Sequence, residues 1–300
     1  MTDTTTALTP GSAHRVLERA CRTVGLDAED AVPARFGENA MYRLQDAALM
    51  ARVGRSQEVA RKEVHVAEWL ASHDFPAVRL TDRLAQPLVV DGSPVTFWEL
   101  ITESDDPVTS ADLGRLLRAL HSLPAPTHFT LPQFDPMSKV VARLDGLSID
   151  DFTSDDIEFL RDRHLDLERQ FTRLHFVLPQ GPIHGDAHTG NLIRSTDGQI
   201  KLLDFEDFCY GPREWDVAVE SVRYRSFAWV SESDYRDYTA AYGFDALNWP
   251  GFQVVRAARE LNMTTWLMQQ IGQSPEVDAE VKLRIADLHD DDAPRRWRAV

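Results

Sequence analysis

The chain has 300 residues, 43% of them hydrophobic and 27% charged, with a formal net charge of −16. That balance excludes a disordered or fibrous chain, and the length exceeds one ordinary core, so two domains are expected. The negative charge argues against a nucleic-acid partner, whose phosphates it would repel, and suits a cationic substrate, although acidity also serves solubility. No apolar run approaches the roughly eighteen residues of a membrane span, and the polar N-terminus lacks a signal-peptide core, so no membrane association and a cytoplasmic location are expected. Cys21 and Cys209 are the only cysteines, far apart, with neither a disulfide framework nor a zinc pattern.

In chain order, residues 1–11 read as a loose tail. Val16, Leu17, Ala20 and Cys21 recur at helical spacing, which predicts a helix over 14–23. Apolar runs at 32–36, 41–44 and 49–53, separated by Gly37-Glu38-Asn39 and Gln45-Asp46, predict an antiparallel meander. The next stretch, 56–72, is helical, with Val59, Ala60, Ala67 and Leu70 on one face and Glu63 on that same face. A carboxylate turned inward needs a cation, and Arg52 at the end of the third strand can supply it. Runs at 78–80, 88–90 and 95–100 complete a small sheet, with Asp91-Gly92-Ser93 as a turn. The polar run 102–107 then reads as a linker, which divides the chain into 1–101 and 102–300.

Beyond it the chain is mainly helical. Helices are expected over 110–122, 154–175, 214–224, 233–242, 251–269 and 275–288, with 124–136 as connector. His164 and Arg161 fall on the polar side of the second of these. The tail from Asp287 reads as a solvated charge run. The fold class is therefore α+β.

The most informative stretch is 182–206, PIHGDAHTGNLIRSTDGQIKLLDFE. Asp197-Gly198 supplies the positive φ of a tight turn, so Leu192-Ile193 and 200–203 form a hairpin. Loops on either side bring Asp186, Asn191 and Asp204 to one end of that ribbon. One amide and two carboxylates suit a hard cation such as Mg²⁺ bound together with phosphates. Asn191 follows Asp186 by five residues, and Asp204-Phe205-Glu206 begins thirteen residues after Asn191. The pattern His-Gly-Asp-x-x-x-x-Asn with a downstream Asp-Phe-Glu varies on the protein-kinase catalytic loop and its Asp-Phe-Gly. In these residues the chain resembles the aminoglycoside phosphotransferase family of kinase-like enzymes, and more weakly so over about residues 30–270.

That resemblance implies a two-lobed protein-kinase-like fold: a small antiparallel-sheet N-lobe over 1–101 and a larger, mainly helical C-lobe over 102–300 that binds the acceptor. It implies transfer of the γ-phosphate of ATP, with Mg²⁺, to a hydroxyl of a small molecule. Asp186 would be catalytic, while Asn191 and Asp204 would hold the metal. Arg52 stands where such chains usually carry a Lys, and would hold phosphates with Glu63 fixing it. The turn of Gly37, Glu38 and Asn39 would cover the phosphates, although it holds one glycine where a Gly-rich loop has three, and a plain hairpin turn explains it equally well. Backbone near Glu99, Leu100 and Ile101 would meet the adenine, with Trp98 a core aromatic. Trp215-Asp216 resembles the family's Trp-Asp segment, in which Asp216 anchors the catalytic loop. Trp229, Tyr235, Tyr238, Trp249 and Trp266 crowd the helical part that would form the acceptor pocket, without singling out a ligand.

Two other readings compete. His184, Asp186 and His188 could form a metallohydrolase cluster, but that leaves Asn191 and Asp204 unexplained. A kinase-like nucleotide-binding module without turnover would draw support from Arg52 and the thin glycine turn. The intact Asp186, Asn191 and Asp204 favour an enzyme.

Overall fold

The structure is a computed structural model that describes residues 8–37, 39–148, 151–291 and 293–299. Most of the expected tail (1–7) and Glu38 lie outside the described residues. Helix α1 (Pro10–Val24) starts earlier than its apolar spacing suggests, because Thr9 and Ser12 form a reciprocal cap ahead of it and Pro10 opens the first turn. Strands β1 (Val32–Phe36), β2 (Ala40–Leu44) and β3 (Leu49–Val53) follow, then α2 (Gln57–Ser72), whose N-terminus is capped by the Ser56 hydroxyl. Strands β4 (Leu88–Val90) and β5 (Ser93–Glu99) precede α3 (Ser110–Leu120), α4 (Ser138–Asp145) and α5 (Ser154–Phe171). After β6 (Gln180–Ile183), a 3-10 turn at Thr189–Asn191 leads into β7 (Leu192–Arg194), β8 (Ile200–Leu202) and β9 (Cys209–Pro212). The chain finishes in α6 (Glu214–Arg225), α7 (Glu232–Tyr242), α8 (Phe252–Met268) and α9 (Pro275–Leu288). No helix among the described residues is long and apolar enough to cross a membrane.

Contacts group these elements into two compact units that do not follow a single cut in the sequence. The first comprises residues 1–108, 123–131 and 189–208. Strands β1 to β5 form one antiparallel sheet in the order β1-β2-β3-β5-β4, with Arg52 on β3 opposite Met41 on β2 and Thr96 on β5. Apolar residues of α1, among them Leu17, Ala20 and Cys21, pack on Tyr42, Leu44, Ala51 and Phe97 of that sheet. The β7–β8 hairpin joins through backbone: Val78 N–H donates to Leu202 O and Leu202 N–H to Pro76 O, each at 3.0 Å.

That same stretch corrects the expected strand at 78–80. It bonds to β8 on one side at Ala77 and to β5 on the other at Leu80, so neither ladder extends beyond a single bridge.

The second unit comprises residues 109–122, 132–188 and 209–300. Strands β6 and β9 pair antiparallel from Gln180↔Pro212 to Ile183↔Cys209. Helices α3 and α7 pack so closely that a Cβ on Gly114 would meet the Tyr238 carbonyl at 2.7 Å. Helix α4 falls outside every expected helix, although Val140 and Leu144, four apart and buried, mark its inner face.

His164 is buried beside Leu160 and Leu167, not on the polar side of α5, because the three share one face. Helix α5 also stops at Phe171, short of 175, where Thr172 takes the C-cap. The tail is likewise no solvated end. Arg295 and Trp297 are buried. Arg295 Nε donates to Glu260 at 3.1 Å, and the Arg284 guanidinium stacks 4.9 Å over the Trp297 ring. Burying the indole and satisfying the buried Glu260 outweighs the charge of the segment.

Candidate active site

In the first unit, a helix, two strands and a hairpin end bring charge together. Glu63 faces inward from α2 and pairs with Arg52 of β3, their side chains 3% and 12% exposed. Arg52 Nη2 also donates to Glu206 Oε2 at 3.0 Å, and Asn39 Nδ2 donates to the same oxygen at 3.2 Å. The Lys62 ammonium donates to the Glu206 main-chain carbonyl. Desolvation acts to discharge Arg52, but Glu63, Asp204 and Glu206 outweigh it and raise its hold on the proton. Glu63 moves the other way for a carboxylate: burial pushes it up to about 7 against the pull of Arg52, with Glu206 and Asp204 adding to the rise.

The hairpin carries the metal-ligand candidates of this unit. Leu192 pairs with Leu202, and one step further the Leu203 N–H donates to the Asn191 carbonyl at 2.9 Å, so Asn191 and Asp204 share the open end of the ribbon. Asp204 adopts a left-handed φ of 58°, a conformation that Asp tolerates better than most residues. Phe205 is buried edge-on to Trp98 of β5 at 5.7 Å, which pins the residues on either side of it. One oxygen each of Glu63, Asp204 and Glu206 lies within 4.8 Å of the others. Arg52 takes up Glu63 and Glu206, so Asp204, with Asn191 beside it, is the carboxylate that fits Mg²⁺, which takes one or two carboxylates and completes its shell with phosphate and water.

Several backbone amides at the expected nucleotide contacts are engaged within the fold itself. Gly37 N–H donates to Asn39 O at 3.0 Å, so that amide serves the turn itself. Glu99 N–H donates to Arg79 O at 2.9 Å and Leu100 N–H to Ala48 O at 3.0 Å. Trp98 is a buried core aromatic, as its strand position predicts.

In the second unit, Asp186 follows β6 on a loop held from beneath. Asp216, fully buried near the start of α6, accepts the His184 N–H at 2.7 Å and the Gly185 N–H at 2.9 Å. His121, at the end of α3, meets the same Asp216 oxygen that takes the His184 N–H, at 3.1 Å, and the Tyr242 hydroxyl at 2.8 Å. The Trp215 indole donates to the Gly185 carbonyl at 2.7 Å. Arg259 of α8 in turn stacks 4.1 Å from the Trp215 ring centre and donates to the Trp215 carbonyl at 2.6 Å.

Asp186 itself leaves about half of its side chain (52%) open. Desolvation pushes its carboxyl up, but His188, Arg259 and His184 outweigh that and hold it well below the usual carboxylate range. It is therefore an accessible carboxylate on a loop whose backbone is held by Asp216 and Trp215. His184 is buried and accepts the Asp186 N–H at 3.3 Å, and among the described residues His184, Asp186 and His188 do not converge as metal ligands. The metallohydrolase reading loses its ligand set.

Comparison with known proteins fits this inventory. A sequence model of the phosphotransferase enzyme family (APH) matches residues 34–261, well over half of the chain. The chain belongs to the phosphotransferase enzyme family. Among solved structures, this phosphotransferase is similar to the amicoumacin kinase hAmiN in complex with AMP-PNP, Ca²⁺ and Ami, at 13% identity over 96% of this chain and 97% of that one, with a TM-score of 0.70. It is also similar to a choline/ethanolamine kinase family protein from Mesorhizobium loti (16%, 96% and 97%, 0.64) and to the gentamicin-APH(2")-IIa complex (14%, 98% and 100%, 0.63). No curated protein matches the sequence. The kinase-like α+β fold class and the expectation of a phosphotransferase are thereby borne out.

The sequence passed over four residues of this phosphotransferase. Glu206 stands in the Asp-Phe-Glu triplet but received no role, and Lys62 adjoins Glu63. His121 gives no local sign of a role, and only the fold brings it to Asp216. Arg259 carried no local signal at all.

Proposed function

We propose that this phosphotransferase transfers the γ-phosphoryl group of ATP, with Mg²⁺, to a hydroxyl of a small molecule. The observation that carries the reading is Asp186: ionised, half-open, and following two residues whose amides are both held by Asp216. In this reading the acceptor hydroxyl oxygen forms a bond to the γ-phosphorus while the bond to the bridging oxygen breaks. ADP departs with that electron pair, and Asp186 orients the hydroxyl and receives its proton.

Arg52 holds phosphate oxygens, and Glu63 fixes the direction of its guanidinium fork. The Gly37–Asn39 turn lies over the phosphates. Adenine meets the 99–101 backbone, where the Ile101 amide has no intramolecular partner among the described residues while those of Glu99 and Leu100 are engaged. Asn191 and Asp204 hold Mg²⁺, which would neutralise charge on the β- and γ-phosphates. Residues 1–101 bind the nucleotide, and 102–300 carry the catalytic residues, the metal ligands and the acceptor site.

The net charge of −16 favours a cationic acceptor, such as an aminoglycoside, amino sugar or amino alcohol. Structural neighbours that carry gentamicin or bear the name of choline/ethanolamine kinases support that class. The test is ADP release from Mg-ATP across a panel of such acceptors and neutral polyols, with phosphorylated product identified by mass. Release that depends on an amine-bearing acceptor is expected. Release with neutral polyols alone would overturn the cationic assignment, and silence with all acceptors would overturn the kinase assignment for this class.

A further inference from the structure

The two residues assigned to the nucleotide's phosphates by the sequence, Arg52 and Asn39, both spend a donor on one oxygen. Arg52 Nη2 reaches Glu206 Oε2 at 3.0 Å and Asn39 Nδ2 reaches it at 3.2 Å. A guanidinium and an amide converging on a single anionic oxygen would serve equally well for a phosphate oxygen. Glu63, Asp204 and Glu206 together outnumber the Arg52 and Lys62 cations, so this group is net negative before any nucleotide arrives.

The backbone that carries this carboxylate is held in place. Phe205 is buried against Trp98, and Lys62 ties the Glu206 main-chain carbonyl, so the backbone is anchored on both counts. The Glu206 side chain keeps 24% of its surface open, and rotation about its own bonds suffices to leave the seat.

We propose that Glu206 is a specificity-determining residue of the nucleotide site: its carboxylate occupies the seat of a phosphate oxygen between Arg52 and Asn39, and so disfavours nucleotide that arrives without a divalent cation. Metal-free ATP must displace this carboxylate and then sit beside its charge. Nucleotide accompanied by a cation brings the neutralising charge with it. The inference rests on the reading of Arg52 and Asn39 as phosphate ligands, and it adds a reason for this phosphotransferase to carry Glu where kinases carry the Gly of Asp-Phe-Gly.

The test is calorimetric titration of the full-length protein with ATP in excess EDTA and in excess Mg²⁺, for wild type, Glu206→Gln and Glu206→Ala, with adenosine as a phosphate-free control. Both variants are expected to bind metal-free ATP about tenfold more tightly than wild type, with adenosine affinity unchanged. Their preference for Mg-ATP over free ATP shrinks accordingly. Unchanged or weakened metal-free ATP affinity in variants that melt like wild type would overturn the proposal and make Glu206 a mere structural partner of Arg52. ATP binding by none of the three proteins, with or without Mg²⁺, would overturn the nucleotide reading itself and the proposal with it.

Discussion

Arg52, one residue from the end of β3, and Glu63, on the inner face of α2, form an ion pair almost wholly withdrawn from water. The Glu63 charge is costly there without Arg52, whose own charge Glu206 also faces. Arg52→Met is therefore expected to destabilise the protein by about 3 kcal/mol and to abolish measurable ATP affinity. Arg52→Lys keeps the charge but loses the fork that reaches both Glu63 and Glu206, so it should recover part of each. Urea unfolding and ATP titration of the two variants check this together.

The same pair sets a pH dependence. Burial raises Glu63 to about 7, above the 4.5 of an ordinary glutamate. The unfolded chain then releases this proton first as pH rises, so the contribution to stability falls between about pH 4.5 and 7 and is level above that. Glu63→Gln removes the titration. The difference in unfolding free energy between wild type and Glu63→Gln should change by on the order of 2 kcal/mol across that window, with wild type losing ground as pH rises. A difference that stays flat from pH 4.5 to 7.5 would contradict the assignment.

Asp216 holds two amides of the loop before Asp186 from a fully buried position. Against the desolvation that favours its neutral form, His121 and His184 keep its carboxyl below the usual range. Asp216→Asn places an amide donor against one of two backbone donors, at a cost of about 2 kcal/mol. Turnover should fall more than tenfold while ATP affinity, assigned to the first unit in the proposed function, stays near wild type. Melting temperature, kcat and ATP titration separate these effects.

The C-terminal segment is expected to contribute to stability and not to phosphate binding. Trp297 is buried, its ring faces Arg284, and its carbonyl accepts the Trp229 indole at 2.8 Å. Trp297→Ala should cost about 3 kcal/mol in urea unfolding and leave ATP affinity unchanged.

Much of this was legible in the sequence because it is local. The meander, the capped α2, the β7–β8 hairpin and its Asp-Gly turn each follow from period and turn chemistry within a few residues. Asp186, Asn191 and Asp204 stood out by spacing, and the Arg52–Glu63 pair by the position of Glu63 on an apolar face. What stayed hidden depends on residues remote in the chain. His121 and Asp216 are 95 positions apart, and Arg52 and Glu206 are 154 apart. The charged tail hid a buried Arg295 because its partner, Glu260, lies 35 residues earlier on α8. The stretch around Val78 looked like a strand by composition, yet its hydrogen bonds divide between two neighbours, a matter of tertiary placement.

The central claim is that Asp186 acts on the acceptor and not on the nucleotide. The most direct measurement compares wild type with Asp186→Ala for ATP-induced shift in melting temperature and for acceptor-dependent ADP release, in the same buffer with Mg²⁺. The account predicts that the variant keeps the ATP shift and loses at least about a hundredfold in release. Release at the wild-type rate by Asp186→Ala, with the ATP shift intact, would contradict it.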